Sequence, residues 1–284
     1  MTRLLDISSR NSVAERVTVL TTALRCRVVD PLKSIERAFT THIGPDAVAR
    51  LMATVAPLPV ILIAGDQLTG KSTQARMLAG HYSGVCRSVG GLFREAAARR
   101  GISVAEQARR LLTKRGVDVE IDYATCEWIG GAGLDSSMAV IEGRQPGWLG
   151  VFMSSLGKGN MARLYFHCSR REQVLRFLKR ELGEDASRLA RDTLPSSEPE
   201  TLAALAEAVA ALKLEGAADV AGQLRDNTRR DDDDRQRYLE LYGFDYRDPA
   251  GYDLIVDTDG KQPPEVRDEI LRQLAQLEPL WATL

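Results

Sequence analysis

The residues best suited to chemistry begin at Gly65. Gly65-Asp66-Gln67-Leu68-Thr69-Gly70-Lys71-Ser72-Thr73 satisfies the spacing GxxxxGK[ST]. An apolar run, Val60 to Ala64, precedes it and a helical pattern follows, which is the setting such a loop requires. Glycines let the backbone curl so that successive N–H groups face inward, and the N-terminus of the next helix adds partial positive charge. The expectation is a triphosphate site in which residues 65–73 bind the nucleotide, Lys71 reaches the β and γ phosphates, and Ser72 ligates Mg²⁺. A glycine-rich turn that merely contains a lysine is the plainer alternative; the agreement of strand, loop and helix speaks against it.

Phosphoryl transfer needs a second anion site and cations facing the first. Arg94 follows one apolar run in Ser88-Val89-Gly90-Gly91-Leu92-Phe93-Arg94, and Arg144 follows another in Glu142-Gly143-Arg144-Gln145-Pro146-Gly147-Trp148. Both fall at or just past the carboxyl end of a predicted strand, the edge where open α/β sheets bind ligands. Arg170, Arg171, Arg176, Lys179 and Arg180 load one helical stretch, with Arg176 and Arg180 four apart on a shared face. Arg230, Asp234 and Arg237 are spaced by four and three, so one side of a helix can offer two cations to phosphate and a carboxylate to a hydroxyl. A solvated, salt-bridged helix face produces a similar charge run. Four arginine sites in chain order behind a phosphate loop favour function, and the Asp231 to Asp233 part of the run is expected to be solvated. Trp148 and Phe93 are expected to pack beside the site, and His81 and His167 to be structural.

Positioning these groups takes a parallel sheet with crossover helices. Strands are predicted near Val60 to Ala64, Val85 to Val89, Met138 to Ile141, Arg163 to His167 and Asp253 to Asp257. Helices are predicted over Lys71 to Gly80, Phe93 to Arg100, Val104 to Leu112 and Arg170 to Leu182. Residues 1–56 read as a helical extension: Val13, Val17, Leu20 and Leu24 recur at helical spacing, Leu32, Ile35 and Phe39 follow Pro31, and Pro57-Leu58-Pro59 ends the segment. Residues 57–284 form the main domain. Within it, residues from 185 to about 225 read as a helical insertion with a polar, proline-containing start.

Composition bounds the reading. In 284 residues, 44% are hydrophobic and 27% charged, which excludes fibrous, low-complexity and fully disordered classes. Lys plus Arg (38) nearly cancels Asp plus Glu (39), so no bulk charge draws nucleic acid or anionic lipid, and any polyanion must be held locally. Cys26, Cys86, Cys126 and Cys168 match no zinc-ligand spacing and read as reduced, mostly buried thiols. Without a signal-peptide core or an apolar run of bilayer length, the expectation is a soluble, cytoplasmic protein with no membrane or nucleic-acid partner.

The motifs together resemble those of the cytidylate kinases of the nucleoside monophosphate kinase superfamily, the archaeal-type branch more than the common bacterial one. The resemblance rests on GDQLTGKST (65–73), SVGGLFREAAARRGIS (88–103), IEGRQPGW (141–148), RFLKRE (176–181) and RDDDDRQRYLELYGFDYRDPAGYDLIVDT (230–258). It covers about residues 59–184 and 226–275. It implies a P-loop NTPase of adenylate-kinase-like α/β fold: a five-stranded parallel sheet flanked by helices, with a mobile lid. By motif, Arg94 and Arg144 would bind the acceptor's phosphate, with Ser88 counted in the same site. Arg176 and Arg180 would be lid arginines closing on the transferring group, Arg230 and Arg237 would contact phosphates, and Asp234 the acceptor ribose. Asp122 falls where the archaeal-type pattern often carries an aspartate. The chain departs from that pattern at Gln145-Pro146, which stands for an apolar-Ala pair. In the bacterial branch the Gln145 position is an aspartate used in reading cytosine.

The implied reaction is transfer of the γ-phosphoryl group of Mg-ATP to CMP or dCMP, with an anionic acceptor that needs no strong base. Two alternatives stand beside it. One is another nucleoside monophosphate or a small-metabolite hydroxyl, with Asp66 or Asp122 as base. The other is a nucleotide-binding regulator or degenerate kinase. In either case residues 1–56 or 185–225 could serve a protein partner or self-association.

Overall fold

Val60-Ile61-Leu62-Ile63-Ala64-Gly65 is buried at every position with no polar alternation, the pattern of a strand covered on both faces. In a computed structural model of the chain it forms β1 (Val60–Gly65), the central strand of a five-stranded sheet. The structure describes residues 30–54, 59–103, 106–107, 116–131, 138–195 and 201–277. The predicted stripe at Val13, Val17, Leu20 and Leu24, Cys26, Pro57-Leu58 and most of the Val104 to Leu112 stretch lie outside those residues.

Four further strands complete the sheet: β2 (Val85–Ser88), β3 (Ala139–Glu142), β4 (Met161–His167) and β5 (Leu254–Asp257). All pairings are parallel, in the order β2-β3-β1-β4-β5. The register sets Ile63 between Glu142 and Leu164, and Ser88 opposite Glu142, so the strand ends carrying the predicted motifs share one edge. The chain runs from β1 to the β2/β3 side and then crosses to β4 and β5. The loop after β1 therefore lies at the crevice where open sheets bind ligands.

Helices cover both faces. α1 (Pro31–His42), α2 (Ala47–Met52), α5 (Gly116–Ile129) and α6 (Pro146–Ser155) share one core with the β1 residues Val60, Leu62 and Ala64. α3 (Lys71–His81) and α11 (Pro263–Leu274) pack on Ile61, Ile63, Val140 and Leu164 of the other face. α4 (Val89–Arg99) follows β2 directly, one residue short of the predicted strand end. The physical reason is local: the Ser88 hydroxyl caps the helix by accepting from the Gly91 N–H at 3.2 Å. Cys126 and Cys168 are buried free thiols, whereas Cys86 is exposed. Among the described residues, no helix is long and apolar enough to cross a membrane.

The predicted Leu32, Ile35 and Phe39 stripe falls in α1, and it does not stand apart from the main domain. Phe39 meets the edges of Tyr123 and Phe152 at ring-centroid distances of 5.3 and 5.6 Å. Tyr123 in turn donates to the Ala47 carbonyl at 3.1 Å, tying α5 to α2. Phe39 is fully buried, so Phe39→Ala should cost about 3–5 kcal/mol from lost burial and the cavity left behind. A thermal melt reads the result as a lowered midpoint; an unchanged midpoint would show that α1 is dispensable.

Residues after β4 build a second, smaller core. α7 (Arg170–Leu182) turns into α8 (Glu184–Thr193) at Gly183, and a short turn (Leu202–Leu205), α9 (Ala206–Ala210) and α10 (Ala217–Tyr242) follow. Val174, Phe177, Leu178, Leu205, Val209 and Leu224 close this core among themselves, separate from the two on the sheet. α10 does not break near residue 225. It runs 26 residues, about 39 Å at 1.5 Å per residue, from the second core to the main one, where Tyr238 and Tyr242 are buried.

Candidate active site

The phosphate loop is shaped by two glycines. Gly65 has φ 144°, and a Cβ there would sit 2.5 Å from the Phe166 carbonyl oxygen. Gly70 caps α3 with φ 90°, in open space that meets only the Arg176 guanidinium at 3.6 Å. Both conformations favour glycine because a Cβ would crowd the neighbouring backbone. At the first position of α3, half-buried Lys71 turns its ammonium back into the loop, donating to the Asp66 carbonyl and lying 3.5 Å from Thr69 Oγ1. Burial, and then the positive charge of Arg144, push the Lys71 ammonium down to about 8, against the pull of Glu142, Asp231 and Asp66. An anion arriving in the loop would favour the charged ammonium. Ser72 is exposed in the first turn of α3.

Two clefts meet at this loop. The first, of about 510 Å³, lies between the start of α3, the polar faces of α7 and α8, and the segment after β5; Thr69, Gly70, Thr73 and Arg176 line it. The second, of about 440 Å³, lies between the ends of β2 and β3, α5 and the middle of α10. It gathers Ser88, Arg94, Asp122, Arg144, Arg230, Asp234 and Arg237 with Gln67 of the loop. Leu68, Lys71, Ser72 and Arg180 line both. The predicted residues thus fall into two sets with a common border. Gly65 and Asp66 line neither cleft: the first ends β1, and the second faces the protein interior.

The second cleft rests on alternating charge. Arg144 donates from Nε to Asp234 at 2.6 Å, pairs with Asp231, and brings Nη1 to 3.9 Å from Asp66. Arg237 bridges Asp234 at 2.6 Å and Asp118 at 3.0 Å. Burial would raise the Asp234 carboxyl, but Arg144 and Arg237 outweigh it and hold the group charged, below the usual carboxylate range. Ser88 donates to Glu142 at 2.5 Å, and Glu142 is itself buried beside the cleft. Arg94 and Arg230 are exposed at the cleft's margin. Across the border, Arg176 is fixed by Glu172 at 3.1 Å and by the Thr258 side chain at 3.0 Å, while Arg180 extends over the Phe177 ring with its Nε on Glu181.

Asp231 corrects the expectation of a solvated run. It is buried, pairs with Arg144 and accepts from Gln67 at 3.1 Å; burial first, and then Asp66, push its carboxyl up. Its position three residues before Asp234 was the available signal, because that spacing returns to the same helix face. The interior partners of Asp66 carried no such signal. Tyr246 donates to it at 2.7 Å, Arg247 at 3.1 Å, and Arg170 lies 3.7 Å away. Burial opposes the Asp66 charge, yet Arg247, Arg144 and the Tyr246 hydroxyl hold the carboxyl below its usual range. Trp148 stacks on Phe244 at 5.2 Å and serves as packing.

Asp122 sits deeper in the second cleft, 1% exposed, accepting from the Gln145 amide and from the Tyr242 hydroxyl at 2.7 Å. Burial pushes its carboxyl up to about 6, against those two hydrogen bonds. A folded-state value above the unfolded one means the native state binds a proton more tightly. The contribution to stability is full below pH 4 and is lost as pH rises toward 6. Asp122→Asn removes the charge, so its stability relative to wild type should improve by about 2–3 kcal/mol between pH 4 and pH 7. Urea midpoints at the two pH values test this; a difference independent of pH would show that Asp122 titrates normally.

A parallel sheet ordered 2-3-1-4-5, a GxxxxGKS loop on its central strand and two clefts meeting there define a P-loop kinase. No protein-family profile matches the chain. Curated proteins do: it is 28% identical over 198 residues to the cytidylate kinase of Desulfurococcus amylolyticus, spanning 70% of this chain and 83% of that one. The cytidylate kinase of Thermoplasma volcanium is 26% identical over 217 residues (76% and 92%), and that of Pyrococcus abyssi 28% identical over 206 residues (72% and 87%). The chain is a nucleotide kinase similar to these cytidylate kinases.

Proposed function

We propose that the chain transfers the γ-phosphoryl group of ATP to the phosphate of CMP or dCMP. The observation that carries this reading is the shared border of the two clefts: Lys71, Ser72 and Arg180 face a donor on one side and an acceptor on the other. The donor's phosphates lie along the loop N–H groups and the start of α3. The acceptor's phosphate lies among Arg94, Arg144, Arg230 and Arg237, with Asp234 accepting from a ribose hydroxyl and Asp122 with Gln145 toward the base.

An acceptor phosphate oxygen, already anionic, attacks the γ phosphorus. A new P–O bond forms as the bond between the γ phosphorus and the bridging oxygen breaks, and its electron pair leaves on the β phosphate of ADP. No proton need be removed first, so positioning and charge neutralisation by Lys71, Arg176 and Arg180 supply the rate. Magnesium, when bound, neutralises charge on the β and γ oxygens. Among the described residues no group of three acidic, His or Cys side chains is placed to cage a metal. The exposed Ser72 hydroxyl fits an ion held jointly with the nucleotide's own phosphates.

The test is a panel of acceptors with Mg-ATP, reading ADP release and the phosphorylated product. CMP and dCMP should exceed UMP, AMP and GMP by at least tenfold in kcat/KM. Asp122 supports one other reading: a buried carboxyl near 6 at the cleft wall could serve as base for a hydroxyl acceptor. Phosphorylation of a sugar or polyol, but of no nucleotide, would transfer the assignment there. Nucleotide binding without transfer to any acceptor would overturn both.

A further inference from the structure

The helix that follows α7 opens the segment read from sequence as a helical insertion, and it forms part of the first cleft. Glu184, Ser187 and Arg191 line that cleft from α8. Their spacing of three and four puts them on one face of the helix, while Ala186 and Ala190 are buried in the packing behind it. Ser187 is only 5% exposed although it lies at the cleft wall. The helix is held in place at both ends: Glu184 pairs with Lys179 of α7 at 2.6 Å, and the Arg191 carbonyl accepts from Arg171 of α7.

The cations around this cleft are unequally engaged. Arg176 is tied to Glu172 and Thr258, Lys179 to Glu184, and Lys261 to Glu269. Among the described residues no carboxylate lies within ion-pair distance of Arg191. With the phosphates along the loop at Lys71 and Ser72, the cleft extends past Arg76 of α3 and the α7 side chains to Gln262, Pro263 and Val266 and to the face of α8. That space suits the nucleoside half of the donor, and a planar guanidinium can stack on a base or bind a sugar hydroxyl.

We propose that α8 completes the donor site, with Ser187 and Arg191 binding the nucleoside half of the donor nucleotide. This rests on the assignment of the first cleft to the donor. The segment from 184 to 193 is then a specificity element, and the second core is the scaffold that sets it against the phosphate loop.

The experiment uses the full chain and the non-hydrolysable donor analogue AMP-PNP as the probe, whose binding calorimetry reports without any acceptor. Arg191→Ala should weaken binding about tenfold and raise the KM for ATP in proportion, as expected for loss of a charged contact. The KM for the acceptor and the thermal midpoint should stay at wild-type values. Ser187→Val should act in the same direction, and Arg191→Lys should recover part of the loss. Arg188→Ala is the control, because Arg188 does not line the cleft and pairs with Asp185 at 3.2 Å; it should bind as wild type. Wild-type affinity in Arg191→Ala would overturn this inference alone. Failure of the wild-type chain to bind the probe would overturn the donor-site reading, and this inference with it.

Discussion

Lys71→Ala should reduce the rate of phosphoryl transfer by about a thousandfold while leaving the thermal midpoint near that of wild type. The magnitude follows from what one well-placed cation or donor contributes when charge spreads over a transferring phosphoryl group. The unchanged stability follows from the local setting: the ammonium's hydrogen-bond partners, Asp66 and Thr69, are in its own loop. Removing it even lifts a small burden, since burial and Arg144 already disfavour its charge. A pH signature accompanies this. With a value near 8, Lys71 in the free enzyme loses its proton as pH rises through 8, so kcat/KM for the donor should fall above that pH. Bound phosphates favour the ammonium, so nucleotide binding at pH 8.5 should take up protons, readable by calorimetry in buffers of different ionisation enthalpy. Near-normal turnover in Lys71→Ala would remove the assigned donor site.

Arg144→Met should be costly in a different way, in stability and activity together. Arg144 stands among Asp66, Asp231 and Asp234, all largely buried, and is the shared partner of the three. Its removal leaves carboxylates in a poorly solvated site without their counter-charge, a situation that costs about 3–5 kcal/mol. Urea unfolding should show that loss, and turnover should fall by at least about a hundredfold if the second cleft holds the acceptor as proposed, because it loses a cation beside the proposed phosphate position. The double variant Arg144→Met with Asp231→Asn separates the two effects. Neutralising Asp231 should recover part of the stability, because a buried like-charge repulsion with Asp66 is removed as well. Activity should not return. If Arg144→Met were as stable as wild type, the three carboxylates would have to be protonated or solvated, contrary to their burial.

These two residues also mark how far the sequence could be read. The Lys71 site was legible because its parts are contiguous: an apolar run, two glycines and a lysine at fixed spacing leave one local geometry open to the chain. Arg230, Asp234 and Arg237 were legible as a set for the same reason, since they lie on one helix whose period fixes their common side. The strands were placed to within a few residues, with the ends shifted where a cap decided the matter, as at Ser88. The burial of Asp231 was within reach of the same periodicity. It was missed because four successive aspartates look like a solvated run, and a hydrophilic side chain reveals nothing about what approaches it from elsewhere in the chain.

By itself the sequence determined the alternation of strands and helices, the phosphate loop and the helical face that carries Arg230, Asp234 and Arg237, because each depends on residues within a few positions of one another. The tertiary structure decided what lies across from them. It set Tyr246 and Arg247 on Asp66, 180 and 181 positions apart, seated Phe39 in the main core, carried α10 from one core to the other, and turned the polar face of α8 toward the cleft beside the phosphate loop. Such contacts are fixed by which apolar surfaces can be buried together, and only the folded chain brings those surfaces into register.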